Sequence, residues 1–485
     1  MWRVVGPARR TRPEGRRRRR HAARRPVALA IPDTAPFLLG IDIGTSRTKA
    51  VLVDRAGREV ATTAGRTPFE RGPAGVEAEA DRVLRTVAEV VAGLGDGVAR
   101  VAAVGIAGLA ESGVPLDGHG RPLAGIIAWH DPRGAEAVDL VRRHLGDGLA
   151  ERIGQPLRTV SSVAKLGWLA ADGVGGVRRW LGVPEWCLHG LTGACATDFS
   201  LAARTGAYDV VARALIPEVL DSLSLPLDVF PEPMPAGRVM GTVSAAGSRW
   251  SGLPAGIAVT VAGHDHVAGL VGAGASEGDL ANSVGTAETV LGRTERVPDT
   301  AAALRAGAAV TLSPTGEEWV VLASAARAGL VLERAGRSLG RSGPELDALA
   351  GGAEPVDASS WVAAVAEAVR AGDPTGAEAG DPTPPLPEGT PGAVWLGVLD
   401  ALSARTWSAV RRVEAVTGPA RRLLVFGGGS RSQAWLEAKA RAGHLPVARS
   451  PAGEAVARGA AVHAGVAAGW WPGTGAAPRP PPARV

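Results

Sequence analysis

The stretch FLLGIDIGTSRTKAVLVD, residues 37–54, decides how this chain is read. It reads as a strand, a glycine-centred turn and a second strand closed by Asp54–Arg55–Ala56–Gly57, a hairpin signal with strong ends. Its centre, DIGTSRTK at 42–49, joins a carboxylate, a glycine turn, two hydroxyls and a cation. Around Gly44, backbone N–H groups can come close to phosphate oxygens because no Cβ intervenes. Thr45 and Ser46 add hydroxyl donors and Lys49 adds positive charge. Asp42, at the strand end, suits water-mediated Mg2+ binding, since that ion takes few carboxylates and keeps several waters. Only three lysines occur, Lys49, Lys165 and Lys439, against fifty arginines, so a lysine inside this motif is informative. A plain β-turn between surface strands is the alternative.

Outward from this hairpin, Val83, Val87, Val90, Val91 and Leu94 recur at helical spacing, and a strand follows at 101–107. Strands alternating with helices indicate an α/β domain. A fainter copy of the hairpin, SVGTAETVLGR at 283–293, places Gly285–Thr286 in the setting of Gly44–Thr45. Two such hairpins suggest a duplicated domain, with a ligand pinned in the cleft between the copies. In VAGHDHVAGLVG (261–272), Asp265 follows an apolar strand, where a partly desolvated acid can take a proton from a bound hydroxyl. His264 and His266 also admit a metal reading, and Asp265 as a helix N-cap is a second alternative. GGGSRSQAW (427–435), between the strand RLLVF and a helix carrying Trp435, fits an adenine or ribose platform or a tight corner. AGLAESG (107–113) and AWHDPR (128–133) place Glu111 and Trp129 in loops after strands. A carboxylate and an indole face grip sugars, although Trp129 fits a core position equally. Residues 340–392 read as a long surface loop with a short helix near Trp361, followed by a helix bearing Leu399, Leu402, Val410 and Val413 and ending at Gly418–Pro419. The Pro-rich tail after Trp471 reads as frayed.

At 485 residues the chain fits two domains. Its net charge of +5 points toward nucleic acid, but residues 1–25 carry eleven Arg and one Glu, which leaves the remaining chain at −5. The run RRRRR at 16–20 self-repels and buries nothing, so residues 1–36 are expected to be a disordered arm. The arm could bind nucleic acid or anionic lipid weakly, and Arg24–Arg25 faintly imitates a twin-arginine signal. The duller reading is an extension without function or a misassigned start; the next methionine is Met234. A signal peptide is not expected, because its apolar segment would be PFLLGIDIG, which the fold needs and cleavage there would remove, and no apolar run reaches the ~18 residues of a membrane helix. Cys187 and Cys195 fit neither a disulfide framework nor a zinc site, and a cytoplasmic location is expected.

The order of these motifs resembles the FGGY carbohydrate kinases of the actin-like ATPase superfamily. The matching strings are IDIGTSRTKAVLVD, Trp129–Asp131–Arg133, KLGWL at 165–169, HGLTGACATDFSLAARTG, GLPAGIAVTVAGHD, SVGTAETV, FGGGSRSQAW and EAVARGAAVHAG, in family order over about residues 37–470. The resemblance implies two duplicated ribonuclease-H-like domains, at 37–272 and 273–471, with an active-site cleft between them and a tail at 472–485. It implies ATP-dependent phosphorylation of a hydroxyl on a sugar or polyol, with Mg2+. By position, Asp42 would organise the ion, and Gly44, Thr45, Ser46 and Lys49 would face the phosphates. Thr286 would hold them from the other side, with Gly329 nearby, and Gly428 and Gly429 would lie along adenosine. Asp265 falls on the catalytic base and touches substrate, Glu111 and Trp129 fall in the sugar pocket, and Asp131 would pair with Arg133 to brace it.

Departures bear on the substrate. Where glycerol kinases carry Arg-Glu this chain has Ala110–Glu111, and their glycerol-contacting Tyr falls on Val160. Where xylulokinases carry Gln-Met-His it has Leu109–Ala110–Glu111, and residues 340–392 lack a Gly-Glu-Arg-Pro-like segment. The expected substrate is a ketose, polyol or aldonate, closer to the xylulokinase pattern than to glycerol kinase. The rival reading is a catalytically silent sugar- and nucleotide-binding sensor with a basic arm, against which the intact Asp42, Lys49, Asp265 and Thr286 argue. No membrane partner is expected, and the oligomeric state is open, a homodimer included.

Overall fold

The computed structural model describes residues 36–73, 75–371, 384–479 and 483–484. The arginine-rich arm lies outside them, apart from Pro36. The apolar alternation of the opening hairpin builds β1 (Phe37–Ile43) and β2 (Arg47–Asp54), whose register sets Asp42 directly opposite Lys49. With β3 (Glu59–Arg66), β4 (Val101–Gly108), β5 (Gly241–Thr242) and β6 (Ala258–His264) they make a six-stranded sheet in the order β5-β6-β4-β1-β2-β3. β1, β2 and β3 form an antiparallel meander, while β1, β4 and β6 run parallel.

A second sheet repeats the plan. It comprises β7 (Asp279–Val284), β8 (Glu288–Thr294), β9 (Ala309–Leu312), β10 (Trp319–Ala326), β11 (Arg422–Phe426), β12 (Val447–Arg449) and β13 (Ala483–Arg484), in the order β9-β10-β8-β7-β11-β12-β13. Here β7 pairs antiparallel with β8 and β8 with β10, while β7, β11 and β12 run parallel. Both sheets therefore carry a three-strand meander whose first strand leads into two parallel neighbours, the ribonuclease-H-like pattern. The Gly44–Thr45 and Gly285–Thr286 turns occupy equivalent corners.

Helix α1 (Ala80–Ala92) buries Val83, Val87, Val90 and Val91 on the first sheet. Helix α2 (Asp265–Gly272) leaves β6 but packs Val267 and Leu270 against Ala281, Leu291, Leu424 and Phe426 of the second sheet. The segment 340–392, expected as a surface loop with a short helix near Trp361, does carry that helix but is more helical and more buried than expected. It contains α3 (Gly343–Ala350) and the 13-residue α4 (Ser359–Ala371). Trp361, Val362, Val365 and Ala366 recur at helical spacing and sink into the second core beside α5 (Pro391–Thr417). The Gly-, Pro- and Asp-rich composition around them hid how far the helix runs; residues 372–383 lie outside the described residues. After β11 comes α6 (Gln433–Ala442), and after β12 comes α7 (Ala455–Ala467). The tail, read as frayed, is docked: Ala477 is buried, Arg458 donates to Pro478 O at 2.8 Å, and β13 pairs with β12.

Helix α7 reciprocates α2 by packing Ala457, Ala461 and Ala464 on the first sheet against Leu38, Val51, Val53 and Ala103. Glycine makes the approach feasible. A Cβ on Gly40 would stand 1.7 Å from Ala457 O, and one on Gly105 1.9 Å from Ala460 O. The two helices also cross each other through glycine, since a Cβ on Gly272 would meet Ala455 O at 1.7 Å and one on Gly459 would meet Ala268 O at 2.0 Å. Their small residues let backbones replace side chains as the packing surface. No helix among the described residues is long and apolar enough to cross a membrane.

Candidate active site

The first hairpin is held from below. Thr67 Oγ1 donates to Gly44 O at 2.7 Å and lies 3.1 Å from Thr48 Oγ1, while Thr67 N donates to Ser46 O. The turn closes by Gly44 N to Arg47 O at 3.1 Å, leaving Ser46 exposed and Thr45 half-buried. Because β1 alternates, Leu39, Ile41 and Ile43 enter the core beneath the sheet, and Asp42 takes the α7 face with Lys49 across from it. Lys49 Nζ does not stand alone on that face: it pairs with Glu454 Oε2 at 2.5 Å, at the start of α7.

Asp42 is the last residue but one of β1 and Asp265 follows the end of β6, the strands on either side of β4. The charge of Asp265 bears on Asp42. Burial, the charge of Asp265 and that of Glu454 push the Asp42 carboxyl up to about 8, against the opposing pull of Lys49. Its Oδ1 is buried with no hydrogen-bond partner. Asp265 is the first residue of α2, with His264 in the N-cap position, so the N-cap alternative for Asp265 falls. Burial works to raise its carboxyl too, but His266 and His264, the 2.6 Å bond from His266 N and the nearby Arg204 hold it below the usual carboxylate range. His264, driven down to about 3 by burial, is neutral at ordinary pH and faces Asp265 Oδ1 through Nε2 at 3.1 Å. The side chains of His264, Asp265 and His266 lie close enough to share an ion, yet His266 Nδ1 is engaged by Ser283 Oγ at 3.1 Å, on β7 of the other lobe. Two carboxylates with opposite protonation preferences thus stand side by side, the arrangement that separates a proton acceptor from a cation or proton holder.

Glu111 sits after β4 with φ 68°, a left-handed backbone that costs a residue of this size about 1–3 kcal/mol. Its carboxylate accepts from Arg204 Nε at 2.6 Å, and Arg204 Nη1 donates to Gln155 Oε1. Burial raises the Glu111 carboxyl, Arg204 opposes that rise, and Asp265 and His266 are close enough to contribute. Trp129 packs partly on the first core, and its indole N–H donates to Thr45 Oγ1 at 2.8 Å. The loop read as part of a sugar pocket is therefore tied directly to the hairpin read as phosphate-binding. Beneath it, Asp131 and Arg133 pair at 2.8 Å, Val76 N donates to Asp131, and the buried Lys165 ammonium reaches Arg133 O at 3.2 Å and Asp131 O.

In the second lobe Gly285 and Thr286 form the exposed corner, with Gly285 N bonded to Ala287 O at 3.0 Å. Gly329 N donates to Thr286 O at 3.2 Å, and a Cβ on Gly329 would meet Gly285 O at 2.6 Å. On the other flank a Cβ on Gly429 would lie 2.4 Å from Val284 Cγ1, whereas Gly428 faces open space. Thr286, Gly329, Gly428 and Gly429 accordingly gather around one corner. Sequence reading missed what lies behind it. Glu288, wholly buried, accepts from Lys439 Nζ at 2.5 Å and Thr406 Oγ1 at 2.7 Å, and Trp435 covers the ammonium at 4.6 Å. Arg204, Gln155 and Glu454 were missed as well. The one available signal was Lys439, which stands on the apolar side of its helix, four residues after Trp435.

This layout of two duplicated lobes is that of the actin-like, ribonuclease-H-like class. Family comparison narrows it further. Residues 37–272 match the N-terminal domain, and 280–468 the C-terminal domain, of the FGGY family of carbohydrate kinases; the chain belongs to that family. Membership makes it a carbohydrate kinase and implies ATP as the phosphoryl donor. It is 27% identical to L-fuculokinase of Salmonella typhi over 92% of this chain and 94% of the relative. It is 29% identical to xylulose kinase of Streptomyces rubiginosus (88% and 87% covered) and 29% to glycerol kinase of Deinococcus radiodurans (90% and 90%). Solved structures share the fold: xylulose kinase from Rhodospirillum rubrum superposes with a TM-score of 0.73 at 22% identity, covering 92% of this chain and 94% of that one. Gluconate kinase from Lactobacillus acidophilus gives 0.75 at 18%, covering 90% of each.

Proposed function

We propose that the protein phosphorylates a hydroxyl of a polyhydroxy compound longer than glycerol, a ketose, polyol or aldonate, with Asp265 as general base. The observation that carries this is Asp265 at the head of α2, held by His264 Nε2 and His266 N, together with the buried Asp42 Oδ1 that has no partner of its own. Asp265 takes the acceptor proton as the hydroxyl oxygen attacks the γ-phosphorus of ATP and the bond to the β–γ bridging oxygen breaks, leaving ADP. Gly44, Thr45, Ser46 and Lys49 face the phosphates from the first lobe, Thr286 and Gly329 from the second, and Gly428–Gly429 line adenosine. The orphaned Oδ1 of Asp42 fits a divalent cation, held by that carboxylate and water. When bound, Mg2+ would offset charge on the phosphates. A charged ion there would also keep Asp42 ionised.

Glu111, oriented by Arg204, and Trp129 grip the acceptor. Trp129 reports to Thr45 through its hydrogen bond, so a correctly seated sugar and a correctly shaped phosphate turn depend on one contact. The relatives' names span L-fuculose, xylulose and glycerol, so the substrate must be read from the site. Ala110 and Val160 offer no guanidinium or phenol to a three-carbon ligand, and longer chains supply more hydroxyls for Glu111, Arg204 and Gln155. The test is a coupled ADP-release assay over pentuloses, polyols, aldonates and glycerol. One longer compound should be turned over far better than glycerol; glycerol at the head of the series would refute the substrate reading. Asp265→Asn should lower kcat by about 10²–10⁴ and spare ATP binding, and a variant that keeps a third of the rate would remove Asp265 from this role.

A further inference from the structure

Glu454 occupies a place that the chemistry above does not use. It precedes α7, the helix that belongs by sequence to the second lobe and by packing to the first. Its two oxygens address different partners: Oε2 takes Lys49 Nζ of the first hairpin at 2.5 Å, and Oε1 lies 3.7 Å from Arg431 Nη2. Arg431 closes the short helix Gly428–Arg431, the loop placed along adenosine. The backbone of Glu454 is fixed independently, its N–H facing the Glu59 carboxylate at 3.3 Å. Lys49 and Glu454 are both only partly exposed, and both bear on the charge of Asp42.

We propose that Glu454 is a positioning residue that stands in for phosphate charge before the nucleotide arrives. It holds the two cations that flank the nucleotide, one from each lobe, on one carboxylate. An incoming triphosphate displaces it, taking Lys49 and leaving Glu454 to Arg431. The exchange draws the first hairpin and the adenosine loop into register around the ligand. The inference rests on the nucleotide placement proposed above. Its cost is competition: the carboxylate lowers nucleotide affinity while keeping Lys49 in the geometry that transfer needs. Loss of its charge should thus move affinity and rate in opposite directions.

The experiment compares wild type with Glu454→Gln in the full chain, measuring calorimetric affinity for a non-hydrolysable ATP analogue, with Mg2+ and with EDTA, and kcat with the best acceptor. The glutamine variant should bind the analogue about three- to fivefold tighter, the scale of a partly exposed ion pair, in both buffers. Its kcat should fall by about tenfold or more through misplacement of Lys49. Arg431→Gln should move affinity less than twofold and kcat in the same direction as Glu454→Gln. A purely structural role would leave both numbers near wild type or weaken both, and either result overturns the proposal. Tighter binding lost in EDTA, or a raised Mg2+ requirement, would make Glu454 a cation ligand instead and equally overturn it. Analogue binding needs no turnover, so a wild-type protein that binds it and transfers nothing would break the kinase mechanism without deciding this inference. A wild type that fails to bind it would break the nucleotide placement itself.

Discussion

The two hairpins share a fold and differ in where they keep their charge. In the first, Asp42 and Lys49 face one another on the α7 side of the sheet, beside Asp265 and Glu454. In the second, the corner itself carries only Ser283, Gly285 and Thr286. Glu288, which opens the next strand, is turned inward and sealed against Lys439. On the function proposed above, one copy of the motif lends its charged groups to chemistry, whereas the other buries an ion pair as a strut and would present backbone and hydroxyl to the ligand. Duplication preserved the corner, and the side of the strand to which each charge points decides its use.

That contrast breaks most visibly at Lys439. Lys439→Met leaves the Glu288 carboxylate buried without its counter-ion, which should destabilise the protein by about 3–5 kcal/mol in denaturant unfolding. Adding Glu288→Leu should recover most of the loss, and a single variant as stable as wild type would show that the pair is no strut. Lys49→Met should do the reverse. Stability should stay within about 1 kcal/mol, as for a partly exposed pair, while kcat with ATP falls about tenfold or more because the cation lies where charge develops. Sugar affinity should hold, so calorimetry showing it collapse with turnover intact would misplace the first hairpin. Thr286→Ala removes one neutral hydroxyl and should raise the KM for ATP by roughly three- to tenfold, the worth of one hydrogen bond; a loss as large as that of Lys49→Met would erase the distinction between the copies.

A further contrast is a pH slope. Folding raises the Asp42 carboxyl from 3.8 to about 8, so between those values the folded protein holds a proton that the unfolded chain has released. Stability of the ligand-free protein should therefore fall as pH rises through this window. Thermal melts should show a declining Tm that Asp42→Asn flattens. An unchanged slope in that variant would place the proton elsewhere.

Much of this was legible in the sequence because it is local. The hairpin at 37–54, Asp265 after its strand and the glycine turn at 427–429 declare themselves within a few residues. What stayed hidden is paired over distance: Arg204 lies 93 residues from Glu111, Lys439 lies 151 from Glu288, and Glu454 lies 405 from Lys49. Arg204 is one of fifty arginines and carries no signal of its own. The helix at Ser359–Ala371 was foreseen near Trp361, but its length and its burial were underread for a different reason. Its apolar spacing is sound, but Pro- and Gly-rich neighbours dominated the composition of the window. The docked tail was misjudged in the same way, because proline in a sequence does not reveal that its carbonyl is the acceptor for a buried arginine.

The crossing of α2 and α7 has a consequence for anyone wishing to divide the molecule. Each sheet borrows a helix from the other half of the chain, and the loans meet backbone to backbone at Gly272 and Gly459. A break between Ala273 and Asp279 would respect the sheets and still leave each fragment with an uncovered apolar face and a helix with nowhere to dock. The two fragments are thus complementary parts of a single unit. Supplied together they can restore each other, and supplied singly neither carries a complete interior.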